Sequence, residues 1–392
     1  MNHIPYGKQT IEKDDITAIE NSMYEELLTT GPTAKNFESK FASYTGSKYA
    51  VAVSSGTAAL HLASMVLLKK GDKVLTTPNS FLATSNSILY VDAIPIFVDI
   101  ESNGNIDLNI CEERIQKDRS IKAIYGVHFS GNPIDQNKLK NIRDSYNTTV
   151  LEDCSHSIGG NYNTKIKVGS CINSDCSIFS FHPVKNITMG EGGVVTTNSK
   201  QIYEKLIRLR NHGMTRDINL LNNKEMIYDK KGNLNTWYYE MIELGYNYRI
   251  TDIQCALGLS QLTKLDRFTN IRRKIAKNYD DAFLKHHNIM PLYPFNENSS
   301  YHLYVAKINF KKIKLTRAEF FAKVREKNIG LMVHYIPINK QPYYTNLGYG
   351  NEFTPVMEKY YNECVTLPMY PKLTDEEQKY VIKIILENLY EE

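Results

Sequence analysis

The chain is 392 residues long and 42% hydrophobic, enough to fill the core of one large domain and of a smaller one. Its 47 basic and 43 acidic side chains are spread along the sequence, and a net charge of +4 with no concentrated basic face argues against a nucleic-acid partner. No run of about 18 apolar residues is present to span a bilayer, and the N-terminal MNHIPYGKQTIEKDD lacks the apolar core of a signal peptide, so a cytoplasmic protein without a membrane partner is expected.

From residue 49 short β-rich runs alternate with helical stretches: YAVAVSS before GTAALHLASMVLLKKGD, KVLTTP before NSFLATSNSILYVDA, then IPIFVDI, IKAIYGVHF, PIDQNKLKNIRDSY and TTVLED. This alternation predicts an α/β fold with a mostly parallel central sheet covered by helices on both faces. Ligands in such folds sit at the carboxyl ends of the strands. The six cysteines, Cys111, Cys154, Cys171, Cys176, Cys255 and Cys364, form no paired pattern, so reduced thiols are expected and no metal site.

Between Asn219 and Glu240 a polar stretch carrying the single tryptophan, Trp237, reads as a long loop or hairpin. Asp252 to His287 keeps apolar residues at helical spacing and reads as one long connecting helix. Beyond it, YHLYVAKINF, TRAEFFAKVREKN, IGLMVHYIPI and an amphipathic helix near Asp375 to Leu389 predict a smaller α+β domain. The expected division is 1–265 for the large domain, N-terminal segment included, and 266–392 for the small one.

Three strand ends carry chemistry. In VAVSSGTAALHLA a strand stops at Ser54 and Ser55 and a helix opens at Thr57, which either caps the helix or leaves its N–H groups for a phosphate. In TTVLEDCSHSIGG two carboxylates end a strand of β-branched residues, where one could hold a proton on a heteroaromatic nitrogen or simply face solvent. In FSFHPVKNITMGEGGVV, Lys185 lies between the apolar strand SIFSF and the glycines Gly190, Gly192 and Gly193. A lysine becomes nucleophilic toward a carbonyl only when burial or nearby cations disfavour its charged form, and this setting suits that use.

A phosphate cup, an acid for a pyridine nitrogen and a loop-held lysine are together what pyridoxal phosphate (PLP) chemistry requires. The segments SSGTAALHLA, TTPNSFLATSN, LEDCSHSIGG, SFHPVKNITMGEGGVVTT, RNHGM, LGYNYRITDIQCALGLSQL and VHYIPI resemble, in order and separation, those of the DegT/DnrJ/StrS family of sugar aminotransferases. Within that family the chain is most similar to members that aminate a 4-keto sugar nucleotide on the route to pseudaminic acid.

The resemblance implies a fold-type I PLP-dependent aminotransferase, a homodimer with shared active sites. It implies L-glutamate as donor and a nucleotide-linked 4-keto-6-deoxy sugar as acceptor, carried by UDP or dTDP. Lys185 matches the lysine that binds the cofactor covalently and moves the proton, and Asp153 the acid that keeps the pyridine nitrogen protonated. Phe81 matches an aromatic stacked on the ring, against the alternative of a core phenylalanine. His156 falls near the ring's phenolic oxygen, and Thr57, Ala58 and Ser180 map onto the phosphate cup. Asn247 maps onto an amide that reaches the phosphate from the partner subunit. Thr30, His212, Arg249 and Tyr335 are substrate-side candidates, and the 219–240 stretch lies where specificity is set. Family members that dehydrate sugars carry histidine in place of the lysine, so Lys185 favours transamination. No G-x-G-x-x-G follows a strand to support a nicotinamide enzyme. A non-catalytic ligand-binding regulator is the remote alternative.

Overall fold

The structure is a computed structural model and describes residues 2–389; the expected domains' outermost positions, Met1 and 390–392, lie outside the described residues. Seven strands form the central sheet: β1 (Tyr49–Val53), β2 (Lys73–Thr76), β3 (Ile94–Phe97), β4 (Ile121–Val127), β5 (Thr149–Asp153), β6 (Cys176–Ser180) and β7 (Gly193–Thr197). Their order is β1-β7-β6-β5-β4-β2-β3. β2, β3, β4, β5 and β6 pair in parallel, and β7 alone runs antiparallel to its neighbours β1 and β6. The expected mostly parallel sheet is therefore present.

Because both faces are covered, these strands read as near-continuous apolar runs rather than alternating ones. Val51, Val53, Leu151, Ile178 and Val195 pack on one side with the helix Gly56–Leu67. Ala50, Ala52, Phe179 and Val194 pack on the other with the helix Pro32–Thr45. There Phe41 meets Phe179 and Phe181 edge to face, at 5.0 and 5.6 Å between ring centres.

A second cluster of apolar side chains gathers around an antiparallel sheet of β8 (Ile289–Pro291), β9 (Tyr304–Ile308) and β10 (Cys364–Leu367). It takes in the helices Leu265–Phe283, Arg317–Glu326 and Asp375–Glu387. Ile4 belongs to this cluster too, since it bridges Ile329, and the carbonyl of Tyr6 accepts from Met369 N–H. Residues 4–6 are thereby tied to the second sheet, while the helix Lys13–Ser22 meets the helix Asp252–Leu262, where Gln261 Nε2 donates to Asp15 at 2.8 Å.

The expected long helix is two helices, Asp252–Leu262 and Leu265–Phe283. At the break Thr263 Oγ1 bonds back to the Ser260 carbonyl, and buried Lys264 turns its amine to Asp15, at 2.6 Å, and Asp14, at 2.8 Å. The 219–240 stretch is a hairpin-like excursion, with Met214–Thr215 pairing Glu240–Met241 and Tyr228 bridging Leu234.

Candidate active site

Parallel pairing brings the ends of β5 and β6 to one edge of the sheet, and the antiparallel β7 returns the chain beside β1. Residues distant in sequence thus line a single cavity of about 630 Å³, among them Thr57, Phe81, Asp153, His156, Ser180, Lys185 and Tyr335.

Two glycines make the approach possible. A Cβ on Gly56 would lie 2.8 Å from Ser180 Cβ, and one on Gly193 would lie 2.2 Å from the Ser55 carbonyl oxygen. Only glycine lets β7 and the Ser180 hydroxyl close on the first turn of the helix Gly56–Leu67. Ser55 caps that helix by accepting from the Ala58 N–H at 3.1 Å, while Thr57 lies on the cavity wall. Helix N-terminus, Ser55 and Ser180 hydroxyls together form a cradle for an anionic group.

Asp153 is buried at the end of β5. Its Oδ2 accepts from Thr84 Oγ1 at 2.7 Å and its Oδ1 from Ser155 N–H at 3.0 Å, and Thr84 is held in turn by Ser80 at 2.7 Å. Lys185 sits in a turn closed by its own N–H to the His182 carbonyl. Burial pushes its amine down to about 8, against the opposing pull of the Asp153 charge. Such an amine is partly unprotonated near neutrality.

Phe81 is 58% exposed on the cavity wall, 6.4 Å between ring centres from Tyr335. It is not a core phenylalanine; its face is left for a ligand. His156 is buried, and its Nε2 lies 3.0 Å from the Tyr335 hydroxyl. Burial, Lys185 and His334 keep its imidazole well below the usual histidine range, hence neutral.

The remaining candidates lie elsewhere. Ala58 is buried one residue behind the cavity wall with its N–H taken by Ser55. Thr30, His212 and Asn247 are exposed and Arg249 is half-buried, outside the cavity lining. Their segments are nevertheless brought together: Thr29 bridges Thr251, Asn211 bridges Asn247, and Arg249 Nη1 donates to Asn211 Oδ1 at 2.5 Å. The Tyr248 carbonyl accepts from Ser54 N–H, joining this patch to the end of β1.

Sequence reasoning missed Tyr6, Thr84, His302 and His334, all in the lining. Thr84 and His334 lie inside the segments TTPNSFLATSN and VHYIPI without standing out there, and Tyr6 and His302 lie in segments that carried no site signal. Only the fold brings them in.

The donor set fits pyridoxal phosphate: a partly unprotonated lysine, a buried carboxylate with spare acceptor capacity, an exposed aromatic face and a helix-terminus anion cradle. Fold and site together define the class, an aminotransferase of the α/β, fold-type I architecture. The chain belongs to the DegT/DnrJ/EryC1/StrS aminotransferase family, whose profile matches residues 9–386.

Among curated proteins it is 37% identical over 380 residues to a UDP-4-amino-4,6-dideoxy-N-acetyl-beta-L-altrosamine transaminase of Campylobacter jejuni, covering 96% of this chain and 95% of that one. It is 34% identical over 390 residues to the spore coat polysaccharide biosynthesis protein SpsC of Bacillus subtilis, covering 98% and 97%. Among solved structures it resembles Helicobacter pylori PseC, an aminotransferase involved in pseudaminic acid biosynthesis, with a TM-score of 0.89, 28% identity and 99% coverage of both chains. The PLP form of a sugar aminotransferase from Streptococcus pneumoniae superposes with a TM-score of 0.86 at 27% identity, covering 99% of this chain and 98% of that one.

Proposed function

We propose that the protein is a PLP-dependent aminotransferase that moves the amino group of L-glutamate to the C4 keto group of a nucleotide-linked sugar. The proposed acceptor is UDP-4-keto-6-deoxy-N-acetyl-altrosamine, in pseudaminic acid formation. One observation carries this reading: an amine depressed to about 8 opens onto the same cavity as the buried Asp153. The choice of acceptor is supported by the Campylobacter jejuni transaminase and by PseC.

Bound in the cavity, PLP supplies an electron sink for the carbon that gains or loses a proton. Lys185 holds the cofactor and then, as a free amine with a pKa near working pH, takes the proton from the amino-donor carbon and returns one to the sugar carbon. Asp153, oriented by Thr84 and Ser155, holds a proton on the ring nitrogen. Ser180, Thr57 and the N-terminus of the helix Gly56–Leu67 bind the phosphate, and Phe81 covers the ring face and excludes water.

The working unit in this proposal is a homodimer in the cytoplasm. Tyr24 is 85%, Leu244 71% and Trp237 63% exposed, large apolar side chains that a second copy of the chain would cover. Thr30, His212, Asn247 and Arg249 would then serve the partner's cavity, Asn247 at the phosphate and the others at the sugar nucleotide. Among the described residues no helix is long and apolar enough to cross a membrane.

The test is incubation with PLP, L-glutamate and a panel of UDP- and dTDP-4-keto-6-deoxy sugars, with products identified by NMR. A 4-amino product from the altrosamine compound is expected. Turnover confined to another sugar of the panel would replace the acceptor, and no 4-amino product at all would sink the reading. Mixing Lys185→Ala with Asn247→Ala tests the shared site: activity reappears only where one subunit completes the other's cavity.

A further inference from the structure

Three imidazoles build the wall behind Lys185. His156 comes from the turn after β5, His302 from the residues entering β9, and His334 from the segment before Tyr335. The rings of His156 and His302 stand 4.6 Å apart, and both residues are at most 4% exposed. On its other side His156 lies 3.0 Å from the Tyr335 hydroxyl through Nε2.

Both His156 and His302 leave a buried Nδ1 with no hydrogen-bond partner among the described residues. A buried unpaired polar atom is unfavourable, and two apolar rings would fill this space without it. The two vacant valences complement each other. When the Tyr335 hydroxyl donates to Nε2, a neutral His156 carries its hydrogen on Nδ1 and needs an acceptor. A neutral His302 with its hydrogen on Nε2 has that acceptor at Nδ1.

Arg272 supports the same residue from behind. It is 1% exposed with no carboxylate partner among the described residues, and its Nη1 donates to the carbonyls of Tyr301, His302 and Met369 at 3.3, 3.1 and 3.0 Å. A buried guanidinium spent on three backbone oxygens ties His302 to the helix Leu265–Phe283.

We propose that His302 is a positioning residue: its Nδ1 accepts the Nδ1 hydrogen of His156 across one bridging water, and favours the His156 tautomer whose Nε2 receives the Tyr335 hydroxyl. Tyr335 then presents only oxygen lone pairs to the cavity. It can accept a hydrogen bond there, from a hydroxyl or N–H of the bound molecule, and cannot donate one. The proposal rests on reading His156 and Tyr335 as site residues.

The charged and titratable groups around the pair are Lys185 and Asp153 on the cavity side, His334 with Tyr6 packed on it, and Arg272 behind. Burial and the Lys185 charge hold both imidazoles below the usual histidine range. Neutral rings are what the relay needs.

Two variants separate bulk from hydrogen bonding. His302→Phe keeps the ring volume and loses the acceptor; His302→Asn keeps an acceptor at the position of Nδ1. In the apo full-length protein, ¹⁵N NMR of the histidine rings should show the Nδ1–H tautomer of His156 in the wild type and in His302→Asn, and a mixture in His302→Phe. In the holoenzyme with L-glutamate and the 4-keto sugar acceptor, His302→Phe should lower kcat about 10-fold or more with a smaller change in KM, while its unfolding temperature holds or rises. His302→Asn should recover most of kcat.

An Nε2–H tautomer for wild-type His156, a wild-type kcat in His302→Phe, or equal loss in both variants would each overturn the proposal. Should the wild type show no transamination, the functional reading fails, while the NMR comparison still decides the relay.

Discussion

Glu152 and Asp153 are neighbours on β5 and, by the alternation of a strand, face opposite sides of the sheet. Both carboxylates are buried, yet their surroundings differ. Behind the sheet Glu152 accepts from Gln136 Nε2 at 2.7 Å, Tyr162 at 2.8 Å, Ser174 at 2.6 Å and Ser177 at 3.3 Å. His128 Nε2 also approaches at 3.1 Å, near enough for charge interaction though off the line of a good hydrogen bond.

In front, Asp153 accepts, among the described residues, from Thr84 and Ser155 alone and opens on the cavity. A carboxylate offers about four acceptor sites. Glu152 has used its capacity within the fold, and Asp153 keeps some for a ligand. Glu152 is saturated by the fold, and Asp153 is the carboxylate with acceptor capacity left over on the cavity side.

The predictions sharpen that contrast, beginning with the front. Lys185→Ala should bring turnover to the detection limit and abolish the covalent cofactor adduct trapped by borohydride and weighed by mass spectrometry; an adduct at another lysine would break the assignment. Asp153→Asn should reduce kcat by about 10²-fold or more with little change in unfolding temperature.

Glu152→Ala should do the reverse, destabilising the fold by about 3–5 kcal/mol while leaving the kcat of the folded fraction within a few fold, because it strands the donors of a buried network. A stable Glu152→Ala enzyme with lost kcat would dissolve the distinction. Thr84→Val, which removes one hydrogen bond to the Asp153 charge, should cost about 1.5–3 kcal/mol of that interaction and a correspondingly smaller part of kcat.

Proton linkage gives a subtler test. Lys185 is depressed from 10.5 to about 8, so between those values the unfolded chain binds more protons than the folded one. This group's contribution to stability therefore rises with pH across that window and is least favourable below about 8. Capture of PLP by the apo protein should accelerate as pH rises and level off above about 8, followed by absorbance. In Asp153→Asn the midpoint should move down, because the Asp153 charge favours the ammonium form. An unmoved midpoint would mean that burial alone tunes the lysine.

Much of this site was legible in the residues. Lys185 stood out between an apolar strand and three glycines, and the structure gives two of those glycines definite work: Gly190 turns with a φ of +76°, and Gly193 passes 2.2 Å, Cβ to oxygen, from where a side chain would strike Ser55. Glu152 and Asp153 were visible as the acidic end of an apolar strand, while the choice of Asp153 and the part given to Ser180 came from the family resemblance. What could not be read were groups whose role depends on another element's position. His302 looks like an ordinary histidine before a strand until His156 is placed 4.6 Å away. Tyr6 enters only because Ile4 bridges Ile329. The helix expected across 252–287 is interrupted at Thr263 and Lys264, where Lys264 meets Asp15, 249 residues distant, a contact that local periodicity does not reveal.

By itself, then, the sequence determined the alternation of strands and helices, the mostly parallel sheet and the strand ends at which a lysine, two carboxylates and a helix start stand out, since each follows from short-range patterning of apolar residues, caps and glycines. Tertiary structure alone decided which face each β5 carboxylate serves, how far Lys185 is desolvated and which histidines stand behind it. Those properties depend on distances between segments far apart in the chain, and burial and hydrogen bonding act through distance.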